Sequence, residues 1–184
     1  MAMALEYEVK VPIDDVESVK EKITGVGGRL IGRRYEVDYY IDMRSCGNVP
    51  EDTVVRVRKV MSEAGEVTGE LTFKGRRMYP DVKAREEITV SVNDPEKTVA
   101  IFSKLGFRVI KVEKEREVYI LSKDVKICVD TVKGVGKFIE VEIMNPPSKD
   151  YFTSSLNDIL AKLSLKGKEI IVKSYLEMLL GRWK

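Results

Sequence analysis

Like charges spaced two residues apart recur through this chain, and they are its residues best suited to chemistry. Glu6-x-Glu8-x-Lys10, Arg56-x-Arg58, Lys114-x-Arg116 and Glu140-x-Glu142 have this spacing, while Lys74, Arg85, Glu87 and Asp130 stand singly on similar segments. In an extended strand, positions i and i+2 share one face. Guanidinium groups grip phosphate or carboxylate oxygens bidentately, ammonium groups act as mobile point charges, and clustered carboxylates hold hard divalent cations. The sequence has no histidine, which excludes Ser-His and Cys-His nucleophile pairs, imidazole acid-base work and His-containing zinc sites. A metal would be held by oxygens, favouring Mg²⁺ or Mn²⁺.

The segments carrying these charges alternate with period two. From Leu5 to Val11 the odd positions are apolar and the even ones, Glu6, Glu8 and Lys10, are charged. Further strands are predicted over 29–42, 53–60, 67–75, 83–92, 107–122, 124–132 and 136–144, giving eight. Asp14 or Asp15 caps a helix running to Gly25, Gly27 and Gly28, and Asp94 with Pro95 opens another ending near Gly106. Two more helices, 149–163 and 169–181, follow the stop at Pro146-Pro147. Sliding the sequence by 79 residues aligns Glu8–Ile41 with Glu87–Ile120 at 10 identities in 34 positions, among them Asp15/Asp94, Gly27/Gly106, Glu36/Glu115 and Tyr40/Tyr119. The chain reads as a single α+β domain over 1–184, with two β-α-β-β-β halves plus C-terminal helices. Two such halves can close into an eight-stranded antiparallel barrel with helices packed outside, which removes exposed edges.

Periodicity leaves two readings of the charged faces. They face water on an ordinary sheet, or they line the lumen of a barrel whose apolar faces lie outward under the four helices. The polar faces favour the lumen, because they hold few Ser and Thr and set Arg, Lys and Glu in tight pairs across many strands. Enclosed charges must be paired, hydrated or neutralised by ligand. A triphosphate with one or two divalent cations suits so evenly balanced a lining.

Composition bounds the rest. Lys plus Arg total 32 against 30 Asp plus Glu, so neither nucleic acid nor an anionic membrane is an expected partner. No apolar run approaches a membrane span and the N-terminus lacks a signal-peptide pattern, which predicts a cytoplasmic protein. Cys46 and Cys128 have no C-x-x-C spacing, and Cys128 reads as a buried structural thiol. Absent Gln and abundant charge are a bias of thermophile proteins. Gly134-x-Gly136 reads as a hairpin turn, Arg76-Arg77 as solvated loop residues, and Trp183 as packing on the barrel or on a partner in a homodimer.

In order along the chain, the E-x-E-x-K at 6–10, DYYID at 38–42, Arg56-x-Arg58, LTFKG at 71–75, REE at 85–87, Lys114-x-Arg116, Asp130, GVGKFIEVE at 134–142 and KSYLEML at 173–179 resemble the CYTH superfamily. These are the triphosphate tunnel metalloenzymes, named for class IV adenylyl cyclases and thiamine triphosphatases, and the resemblance, taken with the composition, implies an archaeal or thermophile member. The resemblance implies that Glu6, Glu8, Asp130, Glu140 and Glu142 serve a metal, with Glu87 an additional acid. It implies that Lys10, Arg56, Arg58, Lys74, Arg85, Lys114 and Arg116 hold triphosphate oxygens, with Lys173 a capping cation, and that Lys10 and Arg58 are catalytic. The implied activity is Mg²⁺- or Mn²⁺-dependent hydrolysis of a triphosphate such as thiamine triphosphate, inorganic triphosphate or ATP. The alternatives are an adenylyl cyclase making cyclic AMP from ATP, or a non-catalytic nucleotide- or polyphosphate-binding module. Bacterial class IV cyclases carry a His-Phe pair just upstream of E-x-E-x-K, and this chain does not.

Overall fold

A computed structural model describes residues 6–76, 78 and 83–181, and the side chains of Glu6, Lys83 and Ala84 lie outside the described part. Arg77 and Trp183 also fall outside it. The strands are β1 (Glu6–Pro12), β2 (Arg29–Ile41), β3 (Val54–Ser62), β4 (Val67–Lys74), β5 (Lys83–Arg85), β6 (Glu87–Val92), β7 (Val109–Ile120), β8 (Val125–Val132) and β9 (Gly136–Met144). The helices are α1 (Val16–Gly25), α2 (Pro95–Lys104), α3 (Lys149–Lys162) and α4 (Tyr175–Leu180), with a 3₁₀ turn at Met43–Ser45. Among the described residues no helix is long and apolar enough to cross a membrane.

All strands pair antiparallel in the order β5-β1-β9-β8-β7-β2-β3-β4-β6. The predicted strand 83–92 is interrupted at Glu86: β5 pairs with β1 at one edge of the sheet and β6 with β4 at the other. Among the described residues the ladder is not closed by hydrogen bonds, so the closed barrel of the sequence reading is met only in part. The two edges are instead consecutive pieces of chain, joined at Glu86, whose carbonyl accepts from the Gly75 amide at 2.9 Å.

The halves repeat as β1-α1-β2-β3-β4 and β6-α2-β7-β8-β9. The first strand of each pairs with the last strand of the other, and the long strands β2 and β7 pair together. The helix caps repeat as well: Asp15 accepts from the Ser18 amide at 3.0 Å and Asp94 from the Lys97 amide at 2.9 Å. Each satisfies an amide that has no partner within its helix. The ungapped alignment fails beyond a register shift between Leu30 and Gly32. One extra residue in a strand turns every later side chain to the other face. Glu36 is therefore buried against the lumen residues Arg58 and Lys114 while its sequence match Glu115 is exposed, and Tyr40 lines the lumen while Tyr119 packs in the outer core.

The largest apolar core lies outside the sheet. Tyr7, Val9, Val11, Ile127, Val129, Ile139, Val141 and Ile143 of β1, β8 and β9 pack under Val19 and Ile23 of α1 and Phe152, Leu156, Ile159 and Leu160 of α3. Phe152 is 1% exposed, and truncating such a residue costs about 3–5 kcal/mol. The outward apolar faces are not covered everywhere, contrary to expectation. Phe73 near the end of β4 and Ile88 and Val90 on β6 are exposed, since α2 packs on β3 and on β4 near Gly69. It approaches closely where a Cβ on Gly69 would meet the Val92 carbonyl at 2.6 Å and Pro95 at 3.1 Å.

The predicted helix 169–181 is shorter than expected. Ile171 is held as a bridge to Lys10, with amide-to-carbonyl distances of 3.0 and 2.8 Å. The helix starts only at Tyr175, where Ser174 and Glu177 form a reciprocal capping box.

Candidate functional site

The even-numbered residues of β1, β2, β3, β4, β7, β8 and β9 turn inward and carry the charge. They surround a cavity of about 110 Å³. Lys10 and Lys114 are each 2% exposed, Glu36 and Asp130 0%; such groups are rarely buried unless paired.

Two walls emerge. On β1, β8 and β9, carboxylates predominate. Glu8 lies directly opposite Glu142, and Lys10 directly opposite Glu140. Lys10 Nζ meets Glu8 at 2.7 Å and Glu140 at 2.8 Å. Arg116 reaches across from β7, donating to both oxygens of Asp130 at 2.7 and 2.5 Å and to Glu140 at 2.7 Å. Lys126 pairs with Glu142. On β2, β3, β4 and β7, cations predominate. Asp38 takes a bidentate pair from Arg58 at 2.5 and 2.9 Å and a bond from Lys114 at 2.7 Å. Glu36 sits among Arg34 at 2.6 Å, Lys114 at 2.7 Å and Arg58 at 3.2 Å. Arg56 approaches Asp38 at 3.7 Å and Thr72 at 3.4 Å, and Lys74 pairs with Glu87.

Tyr175, the first residue of α4, roofs the two walls. Its hydroxyl donates to Asp130 at 2.6 Å, and its ring lies 5.0 Å from Lys10 Nζ and 5.9 Å from Lys114 Nζ.

These contacts set the protonation states. Burial disfavours the charged forms of Asp38 and Glu36, but Arg58 and Lys114 outweigh it and hold both carboxyls below their ordinary ranges. Burial likewise opposes the Lys10 charge, and Glu140 and Glu8 overcome it, raising its pKa. Burial and then Asp130 push the Tyr175 phenol well above its usual value, so it remains a donor. Burial and Asp38 bring Tyr40 up to about 12.

Glu8, Lys10, Arg56, Arg58, Lys74, Glu87, Lys114, Arg116, Glu140 and Glu142 from the sequence reading all line this cavity, and Asp130 joins them through Arg116 and Tyr175. Glu6 opens β1, but its side chain lies outside the described residues. Two predicted residues lie elsewhere. Lys173 is exposed. Arg85 is buried in the wall of a neighbouring pocket, donating to the Asp52 carbonyl at 2.6 Å, the Asp52 carboxylate at 2.9 Å and the Gly75 carbonyl at 3.0 Å. Sequence reasoning missed Glu36 and Asp38 as lumen acids, although their i, i+2 spacing matches that of the other pairs. It also assigned no role to Tyr175 or Arg34. Cys128 is buried, as the sequence reading has it, and faces the lumen with Sγ 3.9 Å from Glu142.

The fold and lining define a class of protein, an antiparallel sheet wrapped around buried and balanced charge, suited to a compact polyanion with a counter-cation. A CYTH domain family model matches residues 4–175, and the chain belongs to the CYTH family. A relative from Methanocaldococcus jannaschii, named "Putative adenylate cyclase MJ0240", is 34% identical over 177 residues, covering 95% of this chain and 98% of its own. The solved PH1012 protein of Pyrococcus horikoshii OT3 superposes with a TM-score of 0.81 at 26% identity, covering 95% of this chain and 99% of the other. The Hippeastrum protein HpAC1, described as an adenylyl cyclase candidate with a dominant triphosphatase activity, shares the fold with a TM-score of 0.73 at 16% identity, covering 97% and 96%.

The donor set on the carboxylate wall fits a hard divalent cation. Glu8 and Glu142, like charges directly opposite on neighbouring strands, are neutralised here by Lys10 and Lys126, and a cation would serve the same charges. One oxygen each from Glu140 and Glu142 and the sulfur of Cys128 lie within 4.8 Å of one another. Burial raises the Cys128 pKa well above its ordinary value, so the carboxylates are the suitable ligands for Mg²⁺ or Mn²⁺.

Proposed function

We propose that the protein hydrolyses a triphosphate with Mg²⁺ or Mn²⁺, inside a tunnel formed by the two halves. The observation behind this reading is the partition of one small cavity into a cationic wall and a carboxylate wall, each carrying buried counter-charges of its own and joined by Arg116, which reaches from the first to Asp130 and Glu140 of the second. As a triphosphate enters, Arg56, Arg58 and Lys114 turn from Asp38 and Glu36 to phosphate oxygens and Arg116 turns from Glu140, and Glu140, with Glu8 and Glu142, would hold the cation. The residues need no new charge for this exchange.

A bound divalent cation supplies charge neutralisation and activates the attacking water. Lys10, placed between Glu8 and Glu140 and kept protonated, stabilises charge growing on the phosphoryl group. Arg58 holds the chain of phosphates in line through a planar fork already shaped by Asp38. Asp130, fixed by Tyr175 and Arg116, keeps Arg116 aimed at the cavity. The roof at Tyr175 and the bridge between Lys10 and Ile171 exclude bulk water from the same side.

Hydrolysis is favoured over cyclisation by the absence of histidine from the sequence, since the His-Phe pair of class IV cyclases has no counterpart. The name of the M. jannaschii relative keeps cyclisation as the second reading. A panel of triphosphates with Mg²⁺ or Mn²⁺, its products separated by chromatography, decides between them. Orthophosphate and a diphosphate are the expected products. Cyclic nucleotide with pyrophosphate establishes the cyclase, and tight binding without turnover under any divalent ion establishes a non-catalytic binding module.

A further inference from the structure

The two halves repeat, but among the described residues only one of their matching outward faces is covered. Val9 and Val11 of β1 are 2% and 0% exposed, whereas Ile88 and Val90 of β6, their matches across the 79-residue repeat, are 53% and 51% exposed. Their ladder neighbours differ in the same way. Val141 and Ile139 pair with Val9 and Val11 and are buried, while Phe73 and Leu71 pair with Ile88 and Val90 and are not. The cause is α3, whose Phe152, Leu156, Ile159 and Leu160 pack over the face of β1 and β9. It follows β9, whereas after β4 the chain passes on to β5 and β6. Leu105, just past α2, is 68% exposed, while its match Val26 packs against the outer core.

The uncovered face is neutral as well as apolar. Leu71 and Phe73 of β4 and Ile88, Val90 and Val92 of β6 alternate with residues that turn inward, among them Lys74 and Glu87 of the lumen. None of the five outward residues is charged, although Asp, Glu, Lys and Arg make up 34% of the chain. A solvated sheet face ordinarily carries polar residues, and edge strands carry charges that block association. The charges flanking this face on α2 are engaged within the chain, Glu96 with Lys59 and Asp94 with Lys97. Such a face offers no counter-charge to nucleic acid or to an anionic membrane. A second copy of the same face meets it with matched apolar chemistry and no contact between like charges. Strands of this length present about 20 Å by 10 Å of sheet, and α2 adds roughly 15 Å of helix beside them. Two such faces bury on the order of 1,000 Å² in total, near the lower limit for a specific interface.

We propose that the protein forms a homodimer through the outer face of β4 and β6, an isologous pair in which each copy lays Ile88 and Val90 on the same face of the other. The partner does for β4 and β6 what α3 does for β1 and β9. The modest area sets a dissociation constant in the micromolar range. Each copy keeps a complete lumen, since one chain supplies all its lining residues, and the pairing braces the two strands that carry Lys74 and Glu87.

Sedimentation velocity and light scattering on the full chain, from nanomolar to high micromolar concentration, compare wild type with Ile88→Lys and Val90→Lys. Tyr151→Lys, at an equally exposed position on α3, is the control. Wild type passes from monomer to dimer over this range, and its melting midpoint rises with concentration. Each lysine variant, shown to be folded by circular dichroism and a cooperative melt, weakens association by about tenfold or more, and Tyr151→Lys does not. If the lysine variants fail to fold, Ile88→Ser and Val90→Ser carry the comparison. A wild type that stays monomeric at every concentration overturns the inference, whether it remains free or binds phosphatidylcholine vesicles through this face. So does a dimer that survives in both folded variants, or one that Tyr151→Lys weakens equally.

Discussion

Replacing Asp38 by Asn removes the charge at the centre of the cationic wall. Asp38 is 1% exposed and compensates Arg58 and Lys114 at hydrogen-bond distance, with Arg56 at 3.7 Å. Glu36 remains, but it then faces all these cations alone. Removing one partner of a buried ion pair costs about 3–5 kcal/mol, because the remaining charge is desolvated without compensation. For a chain of this size each kcal/mol lowers the melting midpoint by about 2–4 °C, so the expected fall is roughly 6–20 °C. If the lumen is built for a polyanion, inorganic triphosphate replaces the missing charge. Its addition then raises the midpoint of Asp38→Asn more than that of wild type. Calorimetric or fluorescence melting with and without the anion measures both effects. An Asp38→Asn variant that melts like wild type, or one that gains less from the anion than wild type does, refutes the electrostatic account of the lumen.

Glu140→Gln is expected to abolish turnover by weakening the carboxylate wall, with partial recovery at high Mn²⁺ in a steady-state assay. Arg58→Ala instead weakens substrate binding, by roughly ten- to a hundred-fold for a charge-assisted phosphate contact of about 1.5–3 kcal/mol, and extra metal does not rescue it. Stability also depends on acid: the carboxyl pKa values of Asp38 and Glu36 are depressed on folding, so their contribution is present above the unfolded values of about 4 and is lost as pH falls through the folded ones. Melting midpoints measured from pH 7 to pH 3 fall below about pH 4 in wild type, and the fall is shallower in Asp38→Asn. Tyr175→Phe removes the 2.6 Å bond to Asp130 and costs about 1.5–3 kcal/mol by denaturant titration.

Much of the fold was legible because alternation with period two is strong in the charged strands, and because Asp15 and Asp94 precede their helices with capping geometry. What periodicity cannot show is which face is enclosed. That followed from the chemistry of the polar faces, and the position of Val9, Ile139 and Val141 beneath α3 agrees with it. The break at Glu86 leaves no mark in the apolar pattern, since it arises from the need of one segment to pair with β1 and then with β4. The residues from Glu169 to Lys173 fit a helical pattern, but backbone pairing of Ile171 with Lys10 outweighs that preference. Glu36 and Asp38 form an i, i+2 acidic pair like the others, but the sequence reading used them only in the internal repeat and in the DYYID motif. Arg85 had the right type and neighbourhood, yet its side chain is taken by Asp52 and Gly75, a tertiary contact across 33 residues of sequence.

A crystal structure with a non-hydrolysable triphosphate analogue and Mn²⁺ tests the central claim most directly. The account predicts phosphate oxygens within hydrogen-bond reach of Lys10, Arg56, Arg58, Lys114 and Arg116, with Mn²⁺ against Glu8, Glu140 and Glu142. An analogue bound outside the lumen, with the Arg58–Asp38 and Arg116–Glu140 pairs still closed and no metal on the carboxylate wall, contradicts it.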